Sequence, residues 1–293
     1  MKIFVCVKHV PDSAATIVVR DKNQIDDKIT FLLNPYDEYA VTEAVKLKKN
    51  LIQNGASSSL GQAQQSNQIE IIAVSLGTSD AEKTVRSAME MGADRGILIK
   101  TDDRHQDSIT TAKALKAAIE QDCSNQVACE DQSKEQEPAI IFTGRESIDM
   151  GGMQTMFRLG AYFNFPVVNN VVKFAPDVNF SVNRKVIVET LTEGGGRDVY
   201  EITLPCIIGA GRGLNTPIYP TFPDVVKARK REIKILTLSD LLKGSESDNK
   251  GAKTEIIDLE LFAEKRTPKS IKGNASQIAK EIVKILKEEA KVI

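Results

Sequence analysis

The chain has 293 residues, enough for one large domain or two small ones with a sizeable core. Its 39 basic and 40 acidic residues nearly cancel, and it contains no Trp, which argues against a nucleic-acid binder and against an anionic-membrane binder. The 4 cysteines form no C-x-x-C pair, and the 2 histidines are far apart, so neither a zinc site nor a disulfide framework is predicted.

The N-terminus, MKIFVCVKHVPD, holds only a short apolar run. That run is too short for a signal segment or a membrane span. Unpaired thiols suit a reducing compartment. We therefore predict a cytoplasmic protein that does not itself cross a membrane and does not bind nucleic acid.

The first half of the chain alternates apolar runs of strand length with segments of helical period. The runs are rich in Ile and Val, as is typical of buried parallel strands. They lie at 2–7, 69–76, 96–99 and 139–143. This alternation of strands and helices predicts an α/β fold, in which a parallel sheet is covered by helices.

Three helices are predicted between these runs. Asn34 is expected to cap the first, with Pro35 at its first position. A capping box at Ser79–Glu82 is expected to open the second, which ends before Gly92. The third is predicted over about 107–120, with apolar residues facing inward.

Two polar segments, 54–68 and 122–137, are poor in large apolar residues and are predicted to be mobile surface insertions. Strand-like runs on both sides of EGGG predict a hairpin within 186–204. PCIIGAG predicts a further strand. A first domain is assigned to 1–240, and a linker with a C-terminal arm to 241–293.

The C-terminal arm ends in an amphipathic helix. Its apolar face consists of Ile278, Ile282, Ile285 and Leu286. We expect this helix to dock either on its own domain or on a partner chain.

No nucleophile–base or metal motif appears in the sequence, so no catalytic residue is predicted. GAGRGL at 209–214 has Leu214 where a dinucleotide fingerprint requires Gly, and prolines follow it, so it predicts a turn. Residues suited to an adenylate stand at the ends of three predicted strands: Cys6, Val7 and Lys8; Ser75, Leu76 and Gly77; and Gly144 with Arg145. Ligands of parallel α/β sheets bind at these strand ends.

The turn GRESIDMGGMQT, residues 144–155, lies between a strand and a helix. Gly151 and Gly152 permit close approach of a ligand to the backbone, and the helix start supplies amide donors for a phosphate. On these residues alone, a nucleotide site and a simple capped turn remain open.

Five segments in order resemble the beta subunit of electron transfer flavoprotein. They are VCVKHVPD, NPYDEYAVTEAVKLK, VSLGTSDAEKTVRSAMEMGADRGILI, GRESIDMGGMQT and LPCIIGAGRGLNTPIYPTFPDVVKARKREI. The resemblance implies an adenine-nucleotide alpha-hydrolase-like (Rossmann-like) domain and an alpha subunit that supplies most of the FAD site. It also implies a second nucleotide here, which is AMP in the respiratory branch and a second FAD in the electron-bifurcating branch.

The strand ends and the resemblance together give the predicted cofactor-binding residues. They are Cys6, Asn34, Pro35, Tyr36, Asp37, Ser75, Leu76, Gly77, Gly144, Arg145, Asp149, Gly151, Gly152, Met153, Gln154 and Thr155. The AMP-binding branch typically reads D-D-x-x-N-Q-T in the turn, and the bifurcating branch reads D-G-D-x-A-Q-V. Gln154 and Thr155 favour AMP, whereas Arg145 favours a second FAD, and Met150 and Met153 follow neither pattern. AMP is the expectation and FAD the alternative.

The resemblance also implies a partner-recognition loop at about 213–231. Phe222 takes the place of the family's apolar anchor, and Lys227, Arg229 and Lys230 form a basic rim. The expected partners are an acyl-CoA dehydrogenase-type donor and a quinone oxidoreductase-type acceptor. The alternative is that Phe222 is a core residue under the Pro-rich loop.

The resemblance implies electron carriage rather than conversion of a substrate. Two other functions remain open. One is NADH-dependent electron bifurcation, and the other is a stand-alone nucleotide-binding module.

Overall fold

A computed structural model describes residues 1–22, 24–26, 28–55, 69–102, 106–124, 139–177, 184–192, 194–242, 253–261 and 268–293. Most of the two predicted insertions, namely 56–68 and 125–137, lies outside these residues. In the described part of the chain, no helix is long and apolar enough to cross a membrane.

The strands and helices follow the predicted alternation. The strands are β1 (Lys2–Cys6), β2 (His9–Pro11), β3 (Val19–Asp21), β4 (Gln24–Ile25), β5 (Phe31–Leu33), β6 (Glu70–Gly77), β7 (Arg95–Lys100), β8 (Ile140–Gly144), β9 (Val167–Pro176), β10 (Lys185–Leu191), β11 (Arg197–Thr203), β12 (Cys206–Ala210) and β13 (Ile233–Thr237). The helices are α1 (Pro35–Gly55), α2 (Glu82–Glu90), α3 (Ser108–Ser124), α4 (Gln154–Phe163), α5 (Phe222–Lys230), α6 (Leu238–Leu241) and α7 (Ala275–Glu288).

Nine strands form the central sheet in the order β11-β10-β9-β12-β8-β1-β6-β7-β13. From β9 to β13 every neighbouring pair is parallel. The predicted hairpin, β10 and β11, adds two antiparallel strands at one edge. The prediction of an α/β fold with a parallel sheet is therefore confirmed.

The central strands β1, β6, β8 and β12 are buried on both faces. Along β1, Ile3 and Val5 face the apolar cluster that contains α1, α2 and α5, whereas Phe4 and Cys6 face the cluster that contains α3, α4 and α6. Burial on both sides explains why the parallel strands are continuous apolar runs rather than alternating ones.

The two faces determine where a crevice opens. β1 and β8 are neighbours in the sheet, yet α1 follows β1 onto one face and α4 follows β8 onto the other. The chain therefore leaves these two strands in opposite directions. In parallel α/β sheets, ligands bind in the crevice beyond the carboxyl ends of such a strand pair.

The start of α2 differs from the prediction. Ser79 lies inside a 3-10 turn, Ser79–Ala81, and α2 begins after it with no side-chain cap among the described residues. An N-cap residue must have an extended backbone. Because Ser79 belongs to the turn, the predicted capping box at Ser79–Glu82 is wrong.

The end of α3 also differs from the prediction. The helix continues to Ser124, into the segment predicted as an insertion, and Asp122 and Cys123 are buried. Asp122 accepts hydrogen bonds from Arg95 Nη2 and Lys2 Nζ at 2.7 and 2.9 Å. These buried ion pairs keep the last turn of α3 on the sheet, a long-range contact that the polar composition of the segment conceals.

Candidate functional site

The carboxylate of Asp37 joins three segments at the crevice. Asp37 is 4% exposed. Its oxygens accept the backbone N–H of Lys8 at 2.7 Å, the backbone N–H of Gly144 at 3.0 Å and the side-chain amide of Asn34 at 2.9 Å. The start of α1 is thereby fixed to the ends of both β1 and β8. Burial raises the pKa of Asp37 to about 7, although the three donors favour its ionised form.

Asn34 connects the start of α1 to the 144–155 turn. Its amide group donates to Glu146 O at 2.9 Å, and its Oδ1 accepts the N–H of Ile148 at 3.2 Å. Asn34 does precede the helix, as predicted. Its side chain, however, binds the turn rather than acting as the expected helix cap, because the turn supplies a backbone donor and an acceptor at the helix start.

Gly144 ends β8 where no larger residue fits. A Cβ atom there would lie 2.3 Å from Asp37 Oδ1 and 2.7 Å from the Cβ of Tyr36. Pro35 and Tyr36, both half-buried, begin α1 directly beside this point. The predicted contacts 34–37 and 144 therefore form one packed unit.

The second half of the turn is exposed. Gly151 and Met153 have positive φ angles of 59° and 50°, and a Cβ at Gly151 or Gly152 would touch nothing within 4 Å. Met150 and Met153 are 68% and 40% exposed. The turn thus presents open backbone flanked by two apolar side chains, at positions where the AMP-binding pattern has polar residues.

Gln154 and Thr155 begin α4, as predicted. Within the described chain, no side chain caps this helix, so its first N–H groups lack the partners that a cap supplies. Gln154 Oε1 accepts from Arg158 Nη2 at 2.7 Å and from Ser108 Oγ at 3.3 Å. These bonds hold the start of α4 against the start of α3.

Arg145 extends from the turn towards β9. Its N–H donates to Ala210 O at 3.0 Å, its Nη1 donates to Asn170 Oδ1 at 3.3 Å, and its Cζ lies 5.6 Å from the centre of the Tyr36 ring. Asn170 was not predicted. Its positive φ of 56° within a strand is an unusual position for a non-glycine residue, but an angle cannot be read from the sequence.

Lys8 stands at a predicted strand end suited to an adenylate, but it is not among the predicted cofactor-binding residues. It follows β1, and its Nζ lies 2.7 Å from both Oδ1 and Oδ2 of Asp149 and 3.2 Å from Ser147 Oγ. Asp149, predicted as a nucleotide contact, therefore forms an ion pair with Lys8. The available signal was a lysine directly after a predicted strand, at the edge where ligands bind.

The remaining predicted residues lie at the ends of β1 and β6. Cys6 is buried, and burial followed by the Asp37 charge raises the pKa of its thiol to about 12, so it is a neutral contact surface. Ser75 is fully buried, and its Oγ has no hydrogen-bond partner in the described residues. Leu76 and Gly77, half-buried, complete the end of β6.

The residues of the crevice fit an adenine nucleotide. A lysine and the uncapped start of α4 supply donors suited to a phosphate. Apolar side chains at the strand ends, such as that of Leu76, suit a nucleoside. No cluster of three potential metal ligands occurs in the described part of the chain.

The predicted recognition loop lies on a separate surface formed by α5. Phe222 is 80% exposed and the nearby Tyr219 is 94% exposed, so the alternative that Phe222 belongs to the core is wrong. The basic residues Lys227, Arg229 and Lys230 are exposed in the last turn of α5. Arg86 Nη1 donates to Ala228 O at 2.8 Å, which fixes α5 to α2.

Comparison with known proteins agrees with this architecture. Residues 24–241 match the family model described as the electron transfer flavoprotein domain. The chain is 32% identical over 299 residues to electron transfer flavoprotein subunit beta of Bacillus subtilis (strain 168), with 100% of both chains covered. It is 30% identical over 295 residues to the mitochondrial subunit beta of Arabidopsis thaliana, again with 100% of both covered. It is also 30% identical over 244 residues to subunit beta of Mus musculus, covering 82% of this chain and 83% of the mouse protein. The chain therefore belongs to the electron transfer flavoprotein family as a beta-type subunit.

Proposed function

We propose that this chain pairs with an alpha subunit to form a cytoplasmic electron transfer flavoprotein and that it binds AMP in the crevice between β1 and β8. The observation that carries the proposal is the joining of β1, β8 and the start of α1 by Asp37, next to the uncapped start of α4. Such an arrangement supplies a rigid wall and phosphate donors at one point. The three described free cysteines suit a reducing compartment.

The residues of this chain bind and position; they do not convert a substrate. Asp37, Asn34 and Gly144 hold the shape of the crevice, and the backbone at the start of α4 would hold the phosphate. FAD, bound mainly by the alpha subunit, would supply the redox chemistry of the complex. The names of the relatives support an alpha partner, because each is called a beta subunit.

The exposed surface of α5 would dock the redox partners. An exposed aromatic residue with a basic rim is typical of a binding hot spot. We propose an acyl-CoA dehydrogenase-type donor and a quinone oxidoreductase-type acceptor as these partners. The exposure of Phe222 and the position of Lys227, Arg229 and Lys230 support a docking role.

A nucleotide count tests the proposal. The chain would be co-expressed with its alpha subunit, and the purified complex would be denatured and its released nucleotides quantified. One FAD and one AMP per heterodimer are expected. Two FAD and no AMP would instead place the chain in the electron-bifurcating class, an outcome that Arg145 favours.

A second experiment tests docking independently of nucleotide binding. Phe222→Ala should slow electron transfer from an acyl-CoA dehydrogenase by about tenfold or more, since truncating a hot-spot aromatic costs ~2 kcal/mol or more of binding. Phe222→Leu keeps an apolar anchor and serves as the matched control. An unchanged rate for Phe222→Ala, with normal nucleotide content, would remove α5 from the docking surface.

A further inference from the structure

The side chain of Lys8 is held at the entrance of the turn. Its backbone N–H donates to the buried Asp37, which fixes the main chain at this point. Its Nζ contacts Ser147 and both carboxylate oxygens of Asp149. The N–H of Gly151 donates to Ser147 O at 2.9 Å, so Ser147 and Asp149 belong to one closed turn. Lys8 is therefore anchored at the backbone and at the tip of its side chain.

The ion pair itself contributes little to folding. The side chain of Lys8 is 43% exposed and that of Asp149 is 23% exposed. Ion pairs in contact with water are typically worth ~0–1 kcal/mol, because solvent screens the attraction and ordering a lysine costs entropy. The pair instead orients the side chain of Lys8, because it holds the ammonium group at a fixed place in the turn that leads into α4.

The other charges of the turn are already balanced or face elsewhere. Arg145 Nε lies 3.1 Å from Glu146 Oε1, and the guanidinium group of Arg145 reaches towards Asn170. Asp149 has its own cation in Lys8. A lysine ammonium has three donors, which here face Ser147 Oγ and both carboxylate oxygens of Asp149, so a phosphate would take the place of Ser147 while the pair with Asp149 is kept.

We propose that Lys8 donates to the phosphate of the bound adenine nucleotide and that Asp149 is a positioning residue for Lys8 rather than a nucleotide contact. This inference rests on the proposed function, because it assigns roles within the same crevice. It predicts that Lys8 distinguishes ligands by their phosphate charge. A purely structural role for Lys8 in holding the turn would instead affect nucleoside and nucleotide equally.

The test compares AMP with adenosine, which lacks the phosphate. The complex with the alpha subunit would be stripped of its exchangeable nucleotide, and both ligands would be titrated calorimetrically. For Lys8→Met, AMP affinity should fall by about 10- to 100-fold, the value of one hydrogen bond between charged groups. Adenosine affinity should stay within about twofold, and Lys8→Arg should retain most of the AMP affinity because it keeps the charge.

Asp149→Asn separates positioning from contact. If Asp149 acts only through Lys8, this substitution leaves adenosine affinity within about twofold of the wild type, because adenosine offers Lys8 no phosphate. A clear loss of adenosine affinity would show that Asp149 contacts the nucleoside, and that result would overturn its positioning role.

The inference and the proposed function can fail separately. Suppose that the wild type binds AMP, but that Lys8→Met lowers the affinities for AMP and adenosine equally or changes neither. The proposed role of Lys8 is then wrong, whereas the AMP site is still supported. If the wild-type complex holds a second FAD instead of AMP, the proposed function fails. The same substitutions are then judged by FAD content, where retention of both flavins in Lys8→Met would overturn the inference. Circular dichroism and co-purification of the alpha subunit check that each variant is folded.

Discussion

The carboxylate of Asp37 accepts three N–H donors from three segments, and this determines the effect of replacing it. Asp37→Asn should lower the free energy of unfolding by ~1–3 kcal/mol, because one amide oxygen cannot serve every donor and a buried donor without a partner is costly. Urea unfolding of both proteins gives the difference. Asp80→Asn, at a side chain that is 59% exposed, is the matched control and should change stability by less than ~0.5 kcal/mol.

The raised pKa of Asp37 gives a second prediction, on pH dependence. Its folded-state pKa is about 7 and its unfolded value is ordinary, about 3.9. Between these values the folded state binds the proton more strongly, so the contribution of Asp37 to stability falls as pH rises from about 4 to about 7. The quantity to measure is the difference in unfolding free energy between wild type and Asp37→Asn across this range. A difference that is constant with pH would contradict the raised pKa.

At the level of single residues, the sequence predicted which residues belong to the site better than it predicted which atoms they contact. Asn34, Asp37 and Gly144 were all assigned to the site, and the structure brings them together. Asp37 was nevertheless expected to contact the nucleotide, whereas its oxygens accept donors of the protein itself. The contact between Lys8 and Asp149 was not predicted, because the two residues are 141 positions apart in sequence and no local pattern records such a pair.

Among the elements, the end of β8 is the most tightly packed part of the site. Gly144→Ala should lower the free energy of unfolding by ~1–3 kcal/mol, because the new methyl group would overlap Asp37 Oδ1 and Tyr36. Thermal or urea unfolding provides the measurement. Gly152→Ala is the matched control in the same turn, because its Cβ has nothing within 4 Å. Equal effects of the two substitutions would contradict the packing described for Gly144.

Helices and strands were predictable where their pattern is local. The apolar runs gave the parallel strands, and EGGG gave the β10–β11 hairpin. The start of α2 and the end of α3 were not predictable, because they depend on a 3-10 turn and on ion pairs to distant strands. The placement of β12 between β8 and β9 is likewise a long-range pairing that no local pattern specifies.

For the whole molecule, the C-terminal helix α7 is largely exposed. Within the described chain none of its 14 residues is buried, and Ile282 and Val283 are 43% and 53% exposed. A helix of this length without packing is marginal in water. In hydrogen exchange on the chain alone, the amides of α7 should exchange far faster than those of α3, whose apolar face is buried.

The same measurement separates the two docking alternatives for α7. Protection of α7 comparable to that of α3 in the chain alone would mean that the helix docks on its own domain, and it would contradict the exposure described here. Protection that appears only when the alpha subunit is added would identify a partner chain as the docking site.

Helix α1 connects the crevice to the proposed docking loop. Asp37 lies at its start, and farther along, Asn215 donates to Tyr39 O at 2.9 Å and to Glu43 Oε2 at 2.8 Å. The N–H of Ile218 donates to Thr42 Oγ1 at 3.0 Å. Asp37 and Glu43 are only ~9 Å apart along the helix axis. If a ligand at one of two sites changes the affinity at the other, thermodynamic linkage makes the effect reciprocal. Any factor by which nucleotide binding raises the affinity for the partner through α1 must equal the factor by which partner binding raises the affinity for the nucleotide. One coupling free energy would then describe both effects.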